Sequence, residues 1–379
     1  MKILTGRAVG ALTAIGLAMA WATAAPALAH QAEHGPFEAQ GAVFVQTDGL
    51  AANQIVAYDR RADGTLAYAG TYPTGGRGGQ LTGSVVDHTA SQGALVYDRA
   101  DNLLLAVNAG SNTISVFSVF GDHLSLRQVL GSGGSFPVSI TAGHGEVFVL
   151  NAENGASIQG YAVLGDHLLP IGWLHRALGL ATQNPGEPEQ FTHTPGQIAL
   201  SPDGSKLIIT TKAAGQSVEV FRVFPFGGLS KDPVVTADPT VPFAVTFDPL
   251  GHLLLAEAAG ALASFRIEGD GTLTQLASVP TNQAATCWVT PAAGYYYTSN
   301  AGSATLTGFR DTFGQLTLLG NTSTDPGTID GTSSGRNLYV QGGKEGTVDA
   351  FSVAPSGALE PIGSVVVPGA AGGEGIATN

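Results

Sequence analysis

The chain has 379 residues, of which 12% are charged and 44% hydrophobic, with 53 Gly, 20 Pro and a formal net charge of −13. Glycine this frequent, dispersed among Val, Leu and Phe, excludes collagen and disorder and points to many short strands joined by tight turns. The acidic balance argues against nucleic acid and anionic membrane as partners.

Residues 1–29, MKILTGRAVGALTAIGLAMAWATAAPALA, combine Lys2 and Arg7, an apolar run from Ala8 to Ala22 and the small-residue exit Ala27-Leu28-Ala29. That order reads as a secretory signal peptide cleaved near Ala29. The alternative is an uncleaved anchor, against which the shortness of the run and Pro26 both speak. Cleavage removes Lys2 and Arg7, taking the net charge two units below −13, and leaves the protein extracellular or periplasm-like. Residues 30–40 form a flexible lead. His30 and His34 stand at a helical metal spacing there, but Gly35-Pro36 argues against the helix. Cys287 is the only cysteine, so no intrachain disulfide forms, and its apolar neighbours mark a structural thiol.

From residue 41 the chain repeats itself. In LLLAVNAGSNTISVFSV, residues 103–119, Leu103, Leu105 and Val107 alternate as a strand does, Ile114, Val116 and Phe117 make a second one, and Asn108 to Asn112 turns the chain between them. Thr47, Asn108, Asn151, Thr211, Glu257, Asn300 and Gln341 mark equivalent second-strand ends, usually 41 to 46 residues apart. The two longer gaps hold insertions, Gly75 to Ser91 and His175 to Gly196. Gly165-Asp166-His167-Leu168 repeats Gly121-Asp122-His123-Leu124, and Asn300-Ala301-Gly302-Ser303 repeats Asn108-Ala109-Gly110-Ser111. Unit one opens at Val43 with a second-strand pattern and no inner strand, which Gly375 to Asn379 supplies from the far end of the chain. The expectation is an all-β, seven-bladed β-propeller of four-stranded antiparallel blades over residues 41–379, its first blade closed by the C-terminal strand. An eight-bladed ring or a linear β-solenoid is the alternative.

The run 103–119 resembles the YVTN-type repeat, and the mature chain is similar throughout to the secreted branch of the seven-bladed propeller lactonase family. That family includes propeller 6-phosphogluconolactonases and 3-carboxymuconate-lactonising enzymes, so the resemblance implies opening or closing of a lactone ring. The chain departs from the family at three places. Gly196-Gln197 stands where the family's enzymes typically have Arg-His, Thr211-Lys212 where they have Asn-Glu, and Pro137-Val138 where Pro-His is common.

In a propeller the links into the inner strands and the turns between second and third strands share one face, so both insertions and the Asn-rich turns converge on one mouth of the channel. A hydrolytic site there would use His88 or His193 as general base, Lys212 for an oxyanion, Glu257 as a further acid or base, and Arg77 or Arg176 for a substrate carboxylate. Glu374, like Glu257, breaks the repeat near the channel and is a candidate for contacting substrate. Asn108, Asn151 and Asn300 are also candidate contacts, although turn formation is the plainer role of residues that recur with the repeat. Trp173 and Trp288 read as packing. No nucleotide, zinc-protease, serine-hydrolase or calcium-loop motif is present, so no cofactor and no metal is expected. The partner would be a small lactone or carboxylate and the protein a monomer. The competing reading is a non-catalytic extracellular propeller that binds a small ligand, glycan or protein.

Overall fold

The computed structural model describes residues 41–225 and 227–379. The leader expected at 1–29 and the lead expected at 30–40 fall outside these residues.

Seven four-stranded antiparallel sheets follow one another along the chain. Their inner strands are Leu95–Asp98, Pro137–Gly143, Gln197–Leu200, Pro242–Phe247, Thr286–Ala292 and Thr328–Ser334 in blades 2 to 7, and Ile376–Thr378 in blade 1. Each packs on the next, and Ile376–Thr378 lies between those of blades 7 and 2, so the ring is closed. Closure is antiparallel pairing of the two chain ends, with Val43 opposite Thr378 and Val45 opposite Ile376. The Gln46 amide donates to Gly375 O at 2.9 Å, and the Ala42 amide to Asn379 Oδ1 at 2.7 Å. Pairing the ends leaves no inner strand with an open edge at the seam.

Burial follows position in the blade. The second strands, such as Leu103–Asn108, are buried on both faces and are therefore continuous apolar runs. The outer strands, such as His123–Gly131, are largely exposed. Apolar clusters lie between neighbouring blades rather than within one, and this makes each sheet depend on its neighbours. In blades 1, 2, 5, 6 and 7 a bulge between third and outer strands comes at an aromatic residue: Tyr58, Phe117, Phe265, Phe309 and Phe351. A bulge increases local twist, as sheets fanned around an axis require. In blade 4 the outer edge is split into Gly228–Leu229 and Val234–Ala237. Among the described residues no helix is long and apolar enough to cross a membrane.

Candidate functional site

The insertion Gly75–Ser91 crosses the mouth expected to admit ligand and plugs it. Its Leu81 is fully buried in a cluster with Phe136, Val138 and Ile198. Asp87 turns its carboxylate back into its own loop, accepting from the amides of Thr89, Ala90 and Ser91 at 2.9, 2.7 and 2.9 Å. Blades from around the ring then bind the plug. Ser91 Oγ donates to Val138 O at 2.8 Å in blade 3, and Trp288 Nε1 of blade 6 donates to Ser91 O at 2.6 Å. Lys212 Nζ of blade 4 donates to Ala90 O and Phe191 O, both at 2.6 Å, tying one insertion to the other. Beneath it lies Phe243, 5.1 Å from Nζ and tilted against Trp288 with ring centroids 4.9 Å apart.

Below the plug four carboxyls meet without an equal number of cations. Glu374 is fully buried and accepts from the Gly93 amide at 3.1 Å and the Ala94 amide at 3.2 Å; its own amide donates to Asp48 Oδ2 at 3.0 Å. Asp330 lies beside Glu374, each raising the other's hold on a proton, and takes the Gly331 amide at 2.8 Å. Two buried carboxyls side by side resist double ionisation, so burial and mutual repulsion both favour a proton on the pair. Burial pushes Asp330 up to about 7, Asp48 up to about 7 and Asp87 up to about 6. Burial raises Glu374 well above the usual carboxylate range, with Asp330, Asp87 and Asp48 adding repulsion. Lys212, the cation facing Asp87, is pushed down to about 7 by burial, and burial pushes the neighbouring Cys287 thiol up to about 12.

Asp330 also faces a cavity. The channel on the far side of the plug holds about 310 Å³, lined by the later residues of five inner strands, among them Tyr97, Thr141, Ala199, Thr332 and Thr378, with Gln92, Gln197 and Asp330 toward its closed end. No Lys, Arg or His among the described residues lines it. Gln92 and Gln197 bridge blades here, Gln92 Oε1 accepting from the Val289 amide at 3.0 Å and Gln197 Oε1 from the Val245 amide at 2.6 Å. A blind, cation-free channel ending in a carboxyl pair can hold and move one proton near neutral pH. No group of three or more His, Cys, Asp or Glu among the described residues is set to hold a metal.

Of the residues proposed from sequence, only Glu374 takes part in this arrangement directly. His88 belongs to the plug and packs against Gly372, where φ is +78° and a Cβ would come within 2.1 Å of Nε2; burial lowers its pKa. His193 lies on the second insertion, its Nδ1 within 2.9 Å of Thr192 Oγ1. Arg77 is exposed and donates to Gly110 O at 3.1 Å. Arg176 sits not at a mouth but in the outer strand of blade 3, its donors spent on carbonyls of Trp173, His175, Leu229 and Ser230. Lys212 is spent on the plug. Glu257 lies in a cleft between blades 4 and 5.

The asparagine side chains are bonded within the protein itself. Asn108 is fully buried, accepting from Thr74 Oγ1 at 2.7 Å and donating to Ser115 Oγ at 2.8 Å, while Asn300 accepts from Thr286 Oγ1 at 2.7 Å and donates to Thr307 Oγ1 at 2.9 Å. Asn151 donates to Ser132 O at 3.1 Å. They knit strands together, and that is why they recur. Trp288 packs as expected, whereas Trp173 is 71% exposed with its Nε1 on Gly227 O.

No protein-family model matches the chain and no curated protein is significantly similar to it. Solved structures are similar. A candidate 6-phosphogluconolactonase from Bacteroides uniformis superposes with a TM-score of 0.69 at 17% identity, over 89% of this chain and 99% of that one. The periplasmic gluconolactonase of Pseudomonas aeruginosa superposes with 0.68 at 19% identity, over 89% and 98%. A candidate 6-phosphogluconolactonase from Bacteroides fragilis gives 0.67 at 16%, over 90% and 98%. The chain has the seven-bladed propeller fold of these structures. Within that fold, sequence reasoning missed Asp48 and Asp330. Asp330 interrupts an inner strand with an acid, between Ile329 and Gly331, and that interruption is the available signal; Asp48, in the loop after Ala42–Gln46, carries none.

Proposed function

We propose that this lactonase-like propeller hydrolyses small uncharged lactones in the channel on the far side of the plug. The observation that carries the reading is the buried carboxyl pair Asp330–Glu374 at the inner end of a cavity without a cation. Asp330, which faces the cavity, exchanges a proton with the substrate while Glu374 stores it. Water adds to the carbonyl carbon and gives up a proton, the ring C–O bond breaks, and the leaving alkoxide is protonated, so that lactone and water become a hydroxy acid. Phosphorylated and carboxylated lactones fit poorly, because the cavity offers an anion no partner and presents an acid to it. The leader at residues 1–29 exports the protein, and the mature form works alone as a monomer without cofactor.

The test is proton release by residues 30–379 against matched neutral, phosphorylated and carboxylated lactones. Turnover of the neutral member alone, lost in Asp330→Asn with the fold retained, is the expected result; turnover unaffected by Asp330→Asn sinks the assignment. One observation favours the binding-module reading instead. Where the family's enzymes have Arg-His, Gln197 is committed to the Val245 amide, and where they have Asn-Glu, Lys212 is committed to the plug. A folded protein with no turnover across the panel decides for that reading.

A further inference from the structure

The ends of the second strands are equivalent by repeat, yet blade 5 handles its polar residue unlike blades 2 and 6. In blade 2 Asn108 pairs with Thr113 in register and gives its amide to the hydroxyls of Thr113 and Ser115. In blade 6 Asn300 pairs with Thr305 and gives its amide to Thr305 and Thr307. Blade 5 has Glu257 in that place, paired with Ala261, and Ala263 stands where Ser115 and Thr307 stand. An amide has become a carboxylate, and both hydroxyls that would meet it have become methyl groups.

What faces Glu257 instead is a cavity of about 190 Å³ between blades 4 and 5. Glu257 is 5% exposed. The Thr240 hydroxyl beside it is bonded to Asp238 Oδ1, as is the Thr240 amide. Two buried carboxyls thus stand near one another, and the one hydroxyl between them is given to Asp238. The remaining wall is mixed, with the Phe265 ring and Leu273 on one side and Gln275 and Ser278 at the rim. No Lys, Arg or His among the described residues lines it.

We propose that this cleft is a binding site for a small alkylammonium ion, whose N–H donors take the carboxyls of Glu257 and Asp238 while its carbon chain lies on Phe265. Charge decides the class. A neutral alcohol would leave the two carboxyls repelling each other in a buried site, whereas an ammonium offers three donors and one positive charge. The aromatic wall suits a cation that carries carbon, because the ring face attracts positive charge and the chain gains apolar contact. An inorganic divalent cation wants six or more oxygens in a shell, which an apolar wall does not give. Burial together with Asp238 pushes Glu257 up to about 7, in keeping with a carboxyl that lacks its counter-charge. The site is separate from the channel and independent of whether the channel is catalytic.

The experiment is calorimetric titration of the mature protein with propylammonium chloride, alongside 1-propanol, sodium chloride and calcium chloride. Saturable binding of propylammonium with a Kd of about 1 mM or tighter is expected, with none of the other three binding comparably. Glu257→Gln is expected to weaken it by roughly tenfold or more, with thermal stability kept or raised because a buried acid is removed. Ala263→Ser, which restores the hydroxyl of blades 2 and 6, is expected to weaken binding while Glu257 stays in place. Failure of propylammonium to saturate overturns the proposal. So does equal binding of 1-propanol or calcium, or binding unchanged in both variants.

Discussion

The two ends of the channel are built from opposite materials. At the mouth, polar groups of an inserted loop are met by donors and acceptors from blades 1, 3, 4 and 6, and the result is a seal. Toward the far face, short inner strands leave space, and the acid at the closed end is held by a neighbour of the same charge type. Satisfied polar groups make structure, and poorly satisfied ones at the edge of a cavity make chemistry. Long polar loops at a propeller mouth are therefore not by themselves an active site.

This contrast predicts that changes in the plug's seal alter stability and leave turnover alone, with the reverse at the carboxyl pair below it. The largest expected effect is on catalysis. Asp330→Asn keeps the size of the side chain and removes its proton exchange, so kcat for a neutral lactone should fall by roughly a hundredfold or more. A melting curve on the same sample should show the fold intact. If kcat holds, the carboxyl pair below the plug is not the reactive site.

Next comes the seal. Lys212→Met leaves Ala90 O and Phe191 O without their shared donor, and two buried carbonyls unpaired cost about 1–3 kcal/mol each, softened by removal of a buried amine. Urea unfolding should show the midpoint lowered, with kcat of the remaining folded protein within about twofold of wild type. A large loss of kcat at unchanged stability would return Lys212 to the catalytic role that sequence suggests for it.

A smaller effect should appear with pH. Asp48 and Asp330 rise to about 7 and Asp87 to about 6 in the fold, against an ordinary aspartate value of 3.8. Between those limits the folded chain holds protons that the unfolded chain has lost, so their stabilisation is complete below the ordinary value and declines as pH rises toward 7. Lys212 acts in the next window. Its pKa falls from 10.5 to about 7, the unfolded chain holds the extra proton there, and stability recovers as pH rises above 7. Melting temperature against pH should pass through a minimum near 7. A monotonic rise from acid to neutral would mean that the carboxyls are ionised in the fold. The smallest expected effect is that of His193→Ala, whose ring contacts only its own loop; kcat should change by less than about twofold.

How much of this the sequence discloses depends on how local the cause is. Blade number, the two insertions and the closing strand are legible because period, turn residues and apolar alternation are local, and Val43 opposite Thr378 is the pairing they require. The face on which the insertions emerge is legible too. Their fate is not, because whether Ser91 and Ala90 reach solvent or meet Trp288 and Lys212 depends on partners about two hundred and about one hundred and twenty residues away. The same holds for Asp330 and Glu374, ordinary acids in sequence that become unusual only when the ring brings them together. Arg176 failed for another reason. It lies just where the second insertion begins, and its position on an outer strand, far from the axis, is a matter of where that strand ends.

The closing strand gives the molecule an order of assembly. Glu374 immediately precedes the pairing of Ile376–Thr378 with the first blade, and it meets Asp330 only once that pairing exists. A growing chain can stack blades 2 to 6 as they appear, but the carboxyl pair is made by the final residues of the ring. Until then Asp330 has no acid beside it, and whatever the channel does begins only when the ring has closed.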